Sequence, residues 1–144
     1  MAMIYHDIVY FTSSNEMLSA EKATEDLNFF QFPKDKISRV ESLILATQNH
    51  SLSPDSDTNY FLDADLSILG LSPEKYDAYT KGILGEYGAG KTFLQGRKRF
   101  LQRYLQKETL YMTEYFQNLY EKTARQNIER EILKIGWTEP ESHK

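Results

Sequence analysis

The sequence has no cysteine, so no disulfide can brace it, and nothing directs it to an oxidising compartment; the cytoplasm is the expected location. It also lacks an excess of positive charge. A formal net charge of −4 argues against nucleic acid as a partner. No apolar run is long enough to span a membrane. The opening MAMIYHDIVY is interrupted by His6 and Asp7, where a signal peptide would need an unbroken apolar core. Stretches of strand-like alternation are missing too, which leaves an all-α fold as the expectation.

What is present suits a folded protein with no membrane segment. Hydrophobic residues make up 40% and charged residues 26% of 144, the mixture of one modest domain with a real core. The helical periodicity predicts a compact bundle of about seven helices filling a single domain over 1–137, with a mobile tail over 138–144. A short apolar helix is expected over 3–11. A second, opened by a capping box of Ser13 and Glu16, should run to about Phe30. Pro33 suits the start of a third, in which Ile37, Val40, Ile44 and Thr47 share one face, and the polar run from Asn49 to Thr58 should close it. FLDADLSIL forms a fourth helix ending at Gly70. Ser72 and Pro73 then open a fifth running toward Tyr87, and Lys91 and Thr92 open a sixth. A last long helix starts near Thr113, carries Phe116, Leu119, Tyr120, Ala124, Ile128 and Ile132 on one side, and ends at Gly136.

Two motifs invite a functional reading that their context does not support. GEYGAGKT, residues 85–92, matches the phosphate-binding loop of nucleotide hydrolases, but such a loop needs a buried strand before it. Here a helix precedes it, so the glycines read as a helix end and an interhelical turn. In DSDTN, Asp55, Asp57 and Asn59 occupy the first three ligand positions of an EF-hand loop. Tyr60 then stands where glycine is required and Leu66 where a bidentate glutamate is required, which favours a solvated acidic loop.

The apolar helices YHDIVY and FLDADLSILG are more informative, because each places an acid or an imidazole among residues expected to be buried. An ionised carboxylate in such a place costs several kcal/mol unless it is paired or bound to a metal, roughly the desolvation penalty that its partner must offset. Asp7, Asp63 and Asp65 therefore need partners. Capping or a hydrogen bond from His6 would satisfy any one of them; taken together they suggest a metal. A nitrogen from His6 with oxygens from Asp7 and Asp65 suits manganese, iron, magnesium or zinc better than calcium.

These segments, in order, resemble the HD-domain metal-dependent phosphohydrolases, in particular a small bacterial group of predicted members. The resemblance runs from about Ile4 to Glu131 through YHDIVY, Asn15-Glu16, ILATQNH at 44–50, FLDADLSILG at 61–70, EY at 86–87, GR at 96–97 and the leucine-rich stretch ending in Tyr111. It implies an HD-like helical bundle in which His6 and Asp7 form the doublet that names the superfamily and Asp65 is the distant aspartate ligand. His50 is a further metal candidate, balanced against an ordinary solvent-facing histidine at a helix C-terminus. Glu16 resembles the acid that orients water in some relatives, and Asp63 would support the site from behind. Arg97 matches the family's Gly-Arg and would neutralise the substrate phosphate; the neighbouring Lys98 and Arg99 read as a solvated face.

The resemblance thus implies hydrolysis of a nucleotide or other small phosphate ester by a water activated on a divalent ion, with manganese, iron, magnesium, cobalt, nickel and zinc undistinguished. Such proteins normally carry an earlier helix that donates another histidine, and only five residues precede His6 here. The competing reading is a non-catalytic HD-like module that binds metal, ligand or another protein. The absent helix would also leave Ile4, Ile8 and Phe11 without a packing partner, and a homodimer through the N-terminal helix would cover them.

Overall fold

The computed structural model describes residue 2 and residues 15–138. The helix expected over 3–11, with Ile4, His6, Asp7, Ile8 and Phe11, lies outside the described residues, as do Ser13 and the tail beyond 138. Among the described residues there are six α-helices, one 3-10 turn and no strand, as the periodicity predicts. We number them α1 (Asn15–Phe29), α2 (Lys34–Ala46), α3 (Ser56–Asp65), α4 (Pro73–Tyr87), α5 (Lys91–Leu105) and α6 (Glu114–Thr138), with the 3-10 turn at Ser67–Gly70 between α3 and α4. By their internal contacts the residues group into two compact units, Met1–Asp65 and Leu66–Lys144.

In the first unit α1 packs along α2, and α2 touches α3. Small residues on α1 allow the close approach: Ala20 and Ala23 are buried against Ile44, with Val40, Leu43 and Phe61 around them. The expected stripe on α2 is the one that faces inward, since Ile37, Ile44 and Thr47 are buried and Val40 is half-buried. Pro33 sits one position earlier than expected, as the N-cap rather than the first helical residue.

α3 differs more from the sequence reading. It begins at Ser56, inside the polar run expected to be loop, and ends at Asp65, leaving Ser67–Gly70 as a separate 3-10 turn. Asp55 explains the early start. Its Oδ2 accepts hydrogen bonds from the Thr58 N–H at 2.9 Å and the Thr58 hydroxyl at 2.5 Å, which caps the helix. Arg39 closes the same carboxylate from α2 at 2.5 Å, and these bonds hold its pKa down at about 2, the Thr58 hydroxyl first among them. Asn59, another residue of the calcium-like motif, is turned onto the backbone of Ser53.

The second unit is built on α6, which packs against the 3-10 turn and α5. Leu69, Tyr76, Leu101, Tyr104, Leu110, Tyr111, Ala124, Ile128 and Ile135 form its core. α4 and α5 have the bounds their end signals predict, and α6 continues past Gly136 to Thr138. Leu119, expected on the buried side of α6, is instead exposed. Asn127 is fully buried and donates to the Leu69 and Leu71 carbonyls at 2.9 and 2.8 Å, satisfying backbone groups that the short turn leaves unpaired. Among the described residues no helix is long and apolar enough to cross a membrane.

Candidate metal centre

His50 and Asp65 are brought together. Fifteen positions apart in sequence, they place His50 Nε2 2.7 Å from Asp65 Oδ2, with both side chains largely removed from solvent. α3 presents Asp65 in its last turn. His50 arrives from the other side through the turn that ends α2, where its N–H donates to the Ala46 carbonyl at 3.2 Å. That turn puts His50 at φ 46°, in the left-handed region that a residue with a side chain adopts at a cost of roughly 1–2 kcal/mol. A backbone held there needs compensation elsewhere, and the ion pair or hydrogen bond to Asp65 supplies some of it.

The pair fits a divalent ion of the class expected. An octahedral ion such as magnesium holds its ligands at about 2.0–2.1 Å, so two at right angles in one shell stand about 3 Å apart. A separation of 2.7 Å needs to open by only a few tenths of an ångström, about the tolerance of a ligand shell, for both atoms to bind the same ion. In the other arrangement Asp65 holds Nε2, fixes the ring, and leaves Nδ1 to the ion. Among the described residues no three His, Asp or Glu side chains gather closely enough to hold a metal by themselves. The remaining expected ligands, His6 and Asp7, lie outside those residues.

The other candidates are placed individually. Asp63, two residues before the end of α3, is fully buried and already engaged. Glu16 is half-buried in the first turn of α1. Arg97, the expected phosphate ligand, belongs to the second unit and is held by Glu131: Nε donates to Oε1 at 2.8 Å and Nη2 to Oε2 at 3.2 Å. Its fork also lies against the Tyr79 ring and that of Phe100, 5.5 and 5.7 Å from their centroids. Burial is the largest single influence and works against the charge of Arg97, but the Glu131 hydrogen bonds, together with the charge of Glu131 and the contact with Tyr79, outweigh it and hold its pKa above the ordinary value. Tyr76 donates its hydroxyl to the same Glu131, and burial, reinforced by that carboxylate, pushes the phenol well up.

Glu131 is the residue that sequence reasoning missed. The signal was available, because it lies three positions after Ile128 and four before Ile135, both buried, and so shares their side of α6. Lys91 is exposed at the start of α5, and the GEYGAGKT turn joins two helices: Gly88, at φ 78°, ends α4 with its N–H on the Leu84 carbonyl at 2.8 Å. A helix, not a strand, leads into it.

Compared with known proteins, the chain matches no family model, no curated protein and no solved structure.

Proposed function

We propose that this chain is a metal-dependent phosphohydrolase acting on a nucleotide or another small phosphate ester, through a centre that contains His50 and Asp65. The observation that carries the reading is their contact, which joins two of the four expected ligands from separate segments. The ordered motifs that resemble the HD-domain phosphohydrolases add support, and they supply His6 and Asp7 as the other ligands. A divalent ion in such a set contributes Lewis acidity, lowering the pKa of water and neutralising charge on the ester. The side chains do the rest: Asp65 fixes the imidazole, the buried Asp63 supports the end of α3, and Glu16 is the candidate to orient water.

The test is a screen of the purified protein with manganese, cobalt, nickel, iron, zinc or magnesium against nucleotides and generic phosphoesters. Turnover that depends on added metal and is removed by Asp65→Asn and by Asp7→Ala supports the reading. Turnover that survives both substitutions, or none under any metal, rejects it.

One observation favours the second reading, a non-catalytic module of HD-like fold that binds metal, ligand or protein. Arg97 is the best-matched cation for the substrate phosphate, and a fork already held by Glu131 has to leave a largely buried pair before it can take a phosphate. Metal binding by His50 and Asp65 without turnover would select this reading. The homodimer expected through Ile4, Ile8 and Phe11 is a separate proposal. Replacing Ile8 and Phe11 by serine should then give a monomer in light scattering.

A further inference from the structure

Among the described residues of the first unit, the most exposed aromatic side chains lie at the corner between α1 and α2. Phe29 is 81% and Phe30 65% exposed, and their rings meet edge to face with centroids 5.3 Å apart, forming one convex knob. The corner is pinned by backbone bonds: the N–H groups of Phe30, Gln31 and Phe32 donate to the carbonyls of Asp26, Asn28 and Leu27, each at 3.0 Å. Gln31 adopts φ 58° to make the turn. Directly after the knob the chain forms a hollow, an open groove of about 390 Å³ lined by Leu27, Phe32, Pro33, Val40 and the stems of Lys36 and Arg39. Two adjoining phenyl rings held in water form a contiguous apolar patch beside an apolar groove, the kind of surface that marks an interaction site.

The chemistry of the corner selects its occupant. A lipid surface is a poor fit, because residues 25–36 carry three acids (Glu25, Asp26 and Asp35) against two lysines (Lys34 and Lys36). A second copy is a good fit. Knob and hollow lie on one short segment, both apolar, so a two-fold axis can seat each knob in the other's groove. The charges agree with that pairing. Glu25 is one turn before Phe29 and therefore beside the knob, while Lys36 edges the hollow. Among the described residues neither Glu25 nor Lys36 has an ion-pair partner, whereas Arg39 is already engaged by Asp55.

We propose that this corner is a self-association surface: Phe29 and Phe30 of each protomer enter the groove formed by Leu27, Phe32, Pro33 and Val40 of the other, with Glu25 facing the partner's Lys36. It is distinct from a contact through Ile4, Ile8 and Phe11, and it does not depend on the catalytic reading.

Sedimentation velocity of the full chain across the micromolar range tests it, with a thermal melt of every variant to confirm folding. The wild type should dimerise. Glu25→Lys and Lys36→Glu should each weaken association by about tenfold or more through like-charge contacts, and an equimolar mixture of the two variants should dimerise again, because the reversed charges then meet their complements. Phe29→Ser with Phe30→Ser should give a folded monomer. A wild type that stays monomeric overturns the proposal. So does a dimer indifferent to these four residues, single charge variants that the mixture does not rescue, or a monomer that floats with phosphatidylcholine vesicles through its phenylalanines.

Discussion

His50 Nε2 stands 2.7 Å from Asp65 Oδ2 across the loop that joins α2 to α3. The imidazole is brought there by a turn in which His50 itself takes the left-handed conformation, φ 46°. A glycine would adopt that backbone without strain but would lack the contact to Asp65, so removing the ring has two separate consequences.

His50→Gly should therefore divide stability from metal binding. Relief of the left-handed strain, about 1–2 kcal/mol, opposes the loss of one side-chain interaction worth about 0.5–1.5 kcal/mol, so urea unfolding should change by less than about 1 kcal/mol. Affinity for manganese or zinc, read by titration calorimetry, should fall by about tenfold or more if the ring is a ligand or orients one. An affinity equal to that of the wild type would remove His50 from the centre.

Asp55 gives the first unit an acid-sensitive contact. Its carboxyl is depressed from 3.8 to about 2 in the folded protein by the Thr58 hydroxyl, Arg39 and the Thr58 N–H. Because the folded value lies below the unfolded one, the stabilisation is fully present above the ordinary carboxylate pKa and is lost as pH falls through the folded value. The gap in thermal midpoint between wild type and Asp55→Asn should thus be the same at neutral and mildly acidic pH. It should close as pH drops from 3.8 toward about 2. A gap that stays open at the acid end would show that the charge is not what caps α3.

Arg97 and Glu131 are the electrostatic centre of the second unit. Their side chains are only 11% and 12% exposed, so removing one partner strands the other. Glu131→Ala should cost about 3–5 kcal/mol in denaturant unfolding, and the double variant Arg97→Met, Glu131→Ala should cost less than that single change. The Tyr76 hydroxyl, which loses its acceptor in both, is the part of the loss the double variant does not recover. Strictly additive losses would show that the two side chains do not act on each other.

The parts of this architecture that could be read from the sequence are those set by neighbours along the chain. Ser72-Pro73 and the Gly88–Gly90 turn fixed the bounds of α4 and α5, and the stripe on α2 followed from the helical repeat alone. What remained hidden depends on partners far apart in sequence. Asp55 reads locally as part of a calcium-like acidic run, and Arg39, 16 positions earlier, helps turn it into a cap. Arg97 reads as a free cation beside Lys98 and Arg99, until Glu131, 34 positions later, takes its fork. Periodicity states which face a residue shares, not which side chain crosses to meet it. His50 and Asp65 could each be named as candidates, but their contact depends on how the loop between them closes.

Two glycines give opposite expectations for one substitution. A Cβ built on Gly70 would lie 2.4 Å from the Cβ of Tyr120, an atom fixed to the α6 backbone that cannot swing aside. Gly70→Ala must push the 3-10 turn off α6, disturbing the Asn127 bonds to Leu69 and Leu71, and overpacking of this kind costs about 1–3 kcal/mol or more. Gly82, inside α4, has nothing within 4 Å of the same built atom. Gly82→Ala adds no clash and removes unfolded-chain freedom, so it should stabilise by about 0.5–1 kcal/mol. Denaturant unfolding of both variants, with Tyr120→Ala added to Gly70→Ala, checks the account. The destabilisation by Gly70→Ala should be smaller when measured in the Tyr120→Ala background. A Gly70→Ala variant as stable as the wild type would mean that the turn does not sit against Tyr120 as closely as the structure places it.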